Sequence, residues 1–101
     1  MVRNIKVSNV NGYGIYLQQY CSAVNCEAHD NLTYGIRTGS FSGVSNCVAS
    51  GNGADGITVG DAVSVSNCVS YGNTVNGFSL NGRSGRLFSS TAYDNATGVY
   101  L

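Results

Sequence analysis

The chain contains no Pro and no Trp, a single His, a single Met, and only five Lys plus Arg against five Asp plus Glu. The scarcity of charge excludes most. With a formal net charge of zero, no basic stripe exists to neutralise a phosphate backbone or an anionic bilayer surface, so neither nucleic acid nor membrane is an expected partner. No apolar run approaches the roughly 18 residues of a membrane span, and no charged segment leads into an apolar one as in a signal peptide. Against these absences stand 14 Gly together with many Asn and Ser. That composition rules against helices, which Gly weakens and in which Asn and Ser compete with the backbone for hydrogen bonds.

Gly14, Gly35, Gly56, Gly77 and Gly98 recur every 21 residues, each followed by an apolar residue: Ile15, Ile36, Ile57, Phe78 and Val99. Self-similarity at such a period is the mark of a solenoid, whose core is a column built by stacking repeats. With the recurrent Gly as position 1, positions 2 and 4 are mostly apolar, and position 3 between them reads Tyr16, Arg37, Thr58, Ser79 and Tyr100. That spacing predicts a short strand with position 3 outward. A second strand falls at positions 8 to 11, where Val63 and Val65 alternate with Ser64 and Ser66, and a third has position 15 inward as Val7, Ala28, Ala49, Ser70 and Thr91. The turn after it carries Asn31, Asn52 and Asn73 at position 18, among Gly and Asp suited to positive φ. In the last repeat, Leu87 and Asn95 match Val44 and Asn52 if one residue is inserted before Leu87 and one removed before Gly98. The register is therefore expected to slip in loops and recover.

Two ladders are expected at the next positions. Position 12 is Asn4, Asn25, Asn46 and Asn67, and stacked Asn at a bend exchange amide hydrogen bonds from coil to coil. Position 13 is Ile5, Cys26, Cys47, Cys68 and Ser89. Metal ligands converge on a point, whereas stacked strands space theirs along a line, and in-register parallel strands offer poor disulfide geometry. The cysteines are therefore expected as core, with Cys21 separate, and no metal or cofactor is expected. His29 lies in Glu27-Ala28-His29-Asp30-Asn31. With Ala28 inward, Glu27 and His29 point outward, and the group reads as a solvated turn. The sequons Asn31-Leu32-Thr33 and Asn95-Ala96-Thr97 arise readily by chance in so Asn-rich a chain.

The repeats Asn25-Cys26 to Gly35-Ile36, Asn46-Cys47 to Gly56-Ile57 and Asn67-Cys68 to Gly77-Phe78 resemble the right-handed parallel β-helix of the pectate-lyase-like superfamily. The resemblance covers nearly the whole chain, and the hexapeptide period usual in left-handed helices is absent. The expected fold is all-β: a right-handed parallel β-helix of about five coils of 21 residues with three short parallel sheets. Residues 1–101 are expected to form one solenoid segment of a longer protein. The resemblance implies an extracellular or virion-surface setting, but this fold hosts lyases, hydrolases, epimerases, phage tail spikes and adhesins, so activity must be argued from residues.

In texture the repeats are most similar to alginate (mannuronan) epimerases and lyases. In that family the segment resembling Tyr13-Gly14-Ile15 continues into Asp-Pro-His-Glu, whereas here Tyr16-Leu17-Gln18-Gln19 follows. The base and acid needed at the sugar C5 proton are missing, and Tyr13 has no catalytic partners. No Asp or Glu cluster converges to hold Ca²⁺ opposite a basic residue. The expected function is a non-catalytic shaft or polysaccharide-binding surface of a larger carbohydrate-active, tail-spike or surface protein. The alternative is a polysaccharide-modifying enzyme whose catalytic residues lie largely outside this chain.

The candidate binding residues are Tyr16, Gln18, Arg37, Thr58 and Asp61. On neighbouring coils such side chains stand about 5 Å apart, and a ring, a guanidinium and amides in a row suit a sugar polymer laid along the column. Met1 falls within a second strand and Leu101 closes a first strand, with neither a helix nor a polar cap. Open coil ends present unpaired strand edges, so end-to-end or trimeric self-association is expected.

Overall fold

The computed structural model describes residues Met1–Leu101 and contains only strands and turns. In chain order the strands are β1 (Val2–Arg3), β2 (Lys6–Ser8), β3 (Ile15–Leu17), β4 (Ser22–Val24), β5 (Glu27–His29), β6 (Ile36–Thr38), β7 (Gly43–Ser45) and β8 (Val48–Ser50). They continue with β9 (Ile57–Val59), β10 (Ser64–Ser66), β11 (Val69–Tyr71), β12 (Asn76–Leu80), β13 (Arg86–Phe88), β14 (Thr91–Tyr93) and β15 (Thr97–Tyr100). Each third strand returns to the same sheet. The first sheet is β1-β4-β7-β10-β13, the second β2-β5-β8-β11-β14 and the third β3-β6-β9-β12-β15. All pairings are parallel, and in the third sheet Ile15, Ile36, Ile57, Phe78 and Val99 stand in one row.

The strands are short because a single left-handed residue bends the chain after each one. One corner holds Asn4, Asn25, Asn46, Asn67 and Ser89, a second Asn9, Asp30, Gly51, Gly72 and Asp94, and a third Tyr20, Phe41, Ala62 and Ser84, all at φ between 52° and 66°. Asn, Asp and Gly tolerate this region, which explains the first two columns. The third corner is chemically different. It bears on function below.

The inward residues form one core: Ala23, Val44 and Val65 from the first sheet with Val63 just before β10, Ala28 and Ala49 from the second, and Ile15, Ile36, Ile57, Val59, Phe78 and Leu80 from the third. Cys26, Cys47 and Cys68 complete it as a buried column, and all four cysteines are free thiols. Each column thiol donates to the carbonyl two residues back: Cys26 to Val24 at 3.4 Å, Cys47 to Ser45 at 3.2 Å and Cys68 to Ser66 at 3.2 Å. The neighbouring Cys68 thiol, and then burial, push the Cys47 thiol well above its ordinary pKa.

The register slips as the last repeat suggests. Val65 pairs with Leu87 and Val69 with Thr91, an offset of 22, whereas Asn76 pairs with Thr97 and Phe78 with Val99 at 21. The slip corrects two columns. Ser90, not Ser89, continues the cysteines, its hydroxyl accepting from the Cys68 N–H at 3.2 Å. Ala92, not Thr91, faces inward opposite Ser70.

The asparagine ladder also lies elsewhere. Asn25, Asn46 and Asn67 are exposed corner residues, with one side-chain bond among their column, Asn25 to Asn4 at 2.7 Å. The internal ladder is at position 18: Asn31 Nδ2 donates to Asn52 Oδ1 at 3.0 Å, Asn52 Nδ2 to Asn73 Oδ1 at 2.9 Å, and Asn73 Nδ2 to Asn95 Oδ1 at 2.9 Å. A corner residue must bend the backbone outward, so its side chain leaves the core. The next residue points back in, and its amide meets the coil above. This ladder also explains the recurrent Gly. A Cβ at Gly35 would lie 2.6 Å from Asn52 Nδ2 and 2.7 Å from the Gly56 carbonyl, and Gly14 and Gly77 are as crowded.

Candidate functional site

The third sheet turns its position-3 side chains away from the core, and β3, β6 and β9 begin just after the Gly column. Tyr16 and Arg37 are direct cross-strand neighbours on β3 and β6. In the first two full coils the residue before this Gly lies in the turn, and it is Tyr13 and Tyr34. The Tyr13 ring lies 5.2 Å from both the Tyr16 and Tyr34 rings, tilted by 59° and 37°. Over them sits Arg37, with Cζ 5.7 Å from the Tyr13 centroid and 5.3 Å from that of Tyr34. A guanidinium over the negative face of a ring is held electrostatically. Arg37 has no carboxylate partner, for the ion pairs are Lys6 with Glu27 at 3.8 Å and His29 with Asp30 at 3.0 Å.

Further along the column the face becomes small and polar. Thr58 is on the outward ladder but only 2% exposed. Its short side chain lies between Arg37 and Ser79 in the register and donates to Asp55 Oδ2 at 3.0 Å. Asp55, itself buried, accepts the Asn76 N–H on Oδ1 at 3.0 Å. Both carboxylate oxygens are thus engaged within the fold. Ser79 is equally covered and bonds Asn81 Oδ1 at 3.0 Å.

The five candidates therefore divide. Tyr16 and Arg37 converge on one cluster, and Gln18 is exposed just past the end of β3. Thr58 is a floor residue that faces Asp55. Asp61 lies exposed in the next turn, where its Oδ1 accepts the Arg83 N–H at 2.7 Å and its own N–H donates to Ser40 Oγ at 3.0 Å. Position-3 alternation alone missed Tyr13 and Tyr34, which stand in a turn. A readable signal existed: the residue before the recurrent Gly is Tyr13, Tyr34, Asp55, Asn76 and Thr97, a column as varied as position 3.

Other features are separate from this cluster. Glu27, His29 and Asp30 lie on or beside the second sheet, engaged with Lys6 and each other. No group of three His, Cys, Asp or Glu converges as metal ligands. An open depression of about 380 Å³ lies at the second corner beside Asp30, Leu32, Gly51 and Gly53. A Cβ at Gly51 would collide with Asp30 Oδ1 and one at Gly53 with the Leu32 carbonyl, and the adjoining Val10 and Gly53 N–H groups already donate to Asn31 at 3.0 and 2.9 Å. The surface with the most ligand-directed chemistry is thus the Tyr13, Tyr16, Tyr34 and Arg37 cluster.

Compared with known proteins, residues 1–101 match the family model described as a right handed beta helix region. Neither the curated proteins nor the solved structures provide a match.

Proposed function

The chain belongs to the right-handed β-helix family, and from that premise we propose that it is a non-catalytic column whose third sheet offers a polysaccharide-binding face. The observation that carries this reading is Arg37, a guanidinium held over two tyrosine rings without a carboxylate partner, beside the exposed ring of Tyr16. Flat rings accept the C–H face of a pyranose, and a free guanidinium and amides address its hydroxyl or carboxylate rim. The lack of other cations on these strands disfavours phosphate polymers. Asp55, with both oxygens committed to Thr58 and Asn76, is poorly placed as a base, which supports the non-catalytic reading.

An oligosaccharide array probed with the wild type, Tyr16→Ala and Arg37→Ala tests this. Each substitution is expected to weaken the bound saccharide at least about tenfold, of the size a lost aromatic or charged contact produces. Binding that survives both changes refutes the face.

A further inference from the structure

Tyr20 and Phe41 stand where the backbone least suits them. At the third corner they adopt φ of 60° and 56°, a region that bulky side chains rarely enter. The other two corners give this conformation mainly to Asn, Asp and Gly, and the third corner itself turns to Ala62 and Ser84 in the following coils. No burial compensates the strain. Tyr20 is 75% and Phe41 53% exposed, and the rings stack on each other with centroids 5.4 Å apart and planes 11° from parallel. Strain retained under an exposed, parallel pair of rings points to a contact surface, not to packing.

The position of the pair gives that surface a direction. Tyr13, Tyr16 and Tyr20 in one coil are matched by Tyr34, Arg37 and Phe41 in the next, every one a planar side chain. The two following coils carry Asp55, Thr58 and Ala62, then Asn76, Ser79 and Ser84, and the flat groups stop. Along the column the platform is thus two coils deep, about 10 Å from edge to edge, whereas along the strands the seven residue-to-residue steps from Tyr13 to Tyr20 extend up to about 23 Å. Between its ends lie the exposed amides of Gln18 and Gln19 and the hydroxyl of Ser40. We infer that a polysaccharide binds transversely, along the strand direction, from the Tyr13–Tyr34 edge over Tyr16 and Arg37 to the Tyr20–Phe41 pair. This rests on the reading of the third sheet as a saccharide face and differs from the expectation that the polymer follows the column. A single-stranded nucleic acid also stacks on rings, but it needs cations along its backbone, and Arg37 is the sole cation on these strands.

The test uses mannuronate and cellulose oligomers, as disaccharide and hexasaccharide, titrated into the whole chain. Tyr20→Asn and Phe41→Asn remove the rings while supplying a residue that tolerates left-handed φ, and Tyr20→Gly and Phe41→Gly provide a second pair of the same kind. Thermal melts check that each variant folds. The hexasaccharide is expected to bind more tightly than the disaccharide, and its advantage to shrink about tenfold in each variant. An undiminished advantage, while Tyr16→Ala and Arg37→Ala still weaken the disaccharide, overturns the transverse path and leaves the face standing. So does an advantage lost instead on Asn76→Ala or Tyr100→Ala, which lie along the column. Absence of saccharide binding, indifference to Tyr16 and Arg37, or binding of oligothymidylate in its place overturns the face and the path together.

Discussion

The side chain of Asn52 makes four hydrogen bonds: it accepts from the Asn31 N–H and Nδ2 at 3.1 and 3.0 Å and donates to the Ala28 carbonyl and Asn73 Oδ1 at 3.2 and 2.9 Å. Removing it leaves several buried groups unpaired at about 1–3 kcal/mol each. Asn52→Ala is therefore expected to cost at least about 3 kcal/mol in urea unfolding. Asn46→Ala, at an exposed corner, forfeits only the left-handed tolerance of Asn, about 1 kcal/mol. Equal costs at the two sites contradict the ladder assignment. The ladder also occupies both sequons, because Asn31 Nδ2 is donated to Asn52 and Asn95 Nδ2 to the Ser70 carbonyl at 3.0 Å. Thr38 shows the opposite imbalance: buried in the inward row of Leu17 and Val59, its hydroxyl has no hydrogen-bond partner. Thr38→Val keeps the shape and deletes the orphan group, so the unfolding free energy is expected to rise by about 1 kcal/mol, and a fall contradicts this.

At the scale of strands and columns, the cysteines give a direct check. Cys21 is half-buried, whereas Cys26, Cys47 and Cys68 are sealed in the core with their thiols donated to carbonyls. A thiol-disulfide reagent is expected to modify Cys21 quickly in the native chain and the other three only as fast as the coils open. Rapid reaction of all four contradicts a closed column. The strands themselves were legible in the sequence, because a 21-residue period superimposes five copies of the same alternation and even exposes the slip at Leu87. The two Asn columns were not separable that way. Both recur at fixed positions and both residues favour bends, and only the backbone conformation of Asp30, Gly51 and Gly72 decides that the following Asn turns inward. The candidate site was half legible for a related reason: Tyr16 and Arg37 follow from strand alternation, while Tyr13, Tyr34, Tyr20 and Phe41 are turn residues whose direction alternation does not predict. Burial of Thr58 depends on its neighbour Asp55, a contact between turn and strand.

For the molecule as a whole, three parallel sheets joined by short turns, each bent at one left-handed residue, give a column with distinct faces, so chemistry on one is insulated from the others. The terminal coils expose Met1, Ile5, Val99 and Leu101, and parallel strands at either end carry unpaired backbone groups. We propose that residues 1–101, prepared alone, stack through these ends, and sedimentation at micromolar concentration is expected to show oligomers; a clean monomer contradicts it. The second sheet supplies an internal control for the binding face, because Tyr71 and Tyr93 also form an exposed stacked pair, with centroids 4.9 Å apart and planes 1° from parallel. Exposed stacked rings alone thus do not distinguish the third sheet. Its difference is the unpaired Arg37 and the breadth of the cluster. The most direct measurement is the chemical-shift response of the tyrosine ring resonances as a bound oligosaccharide from the array is titrated in. The account predicts shifts at Tyr13, Tyr16, Tyr20 and Tyr34 with Tyr71 and Tyr93 unmoved, and it is contradicted if Tyr71 and Tyr93 respond while the four rings of the third-sheet face stay still.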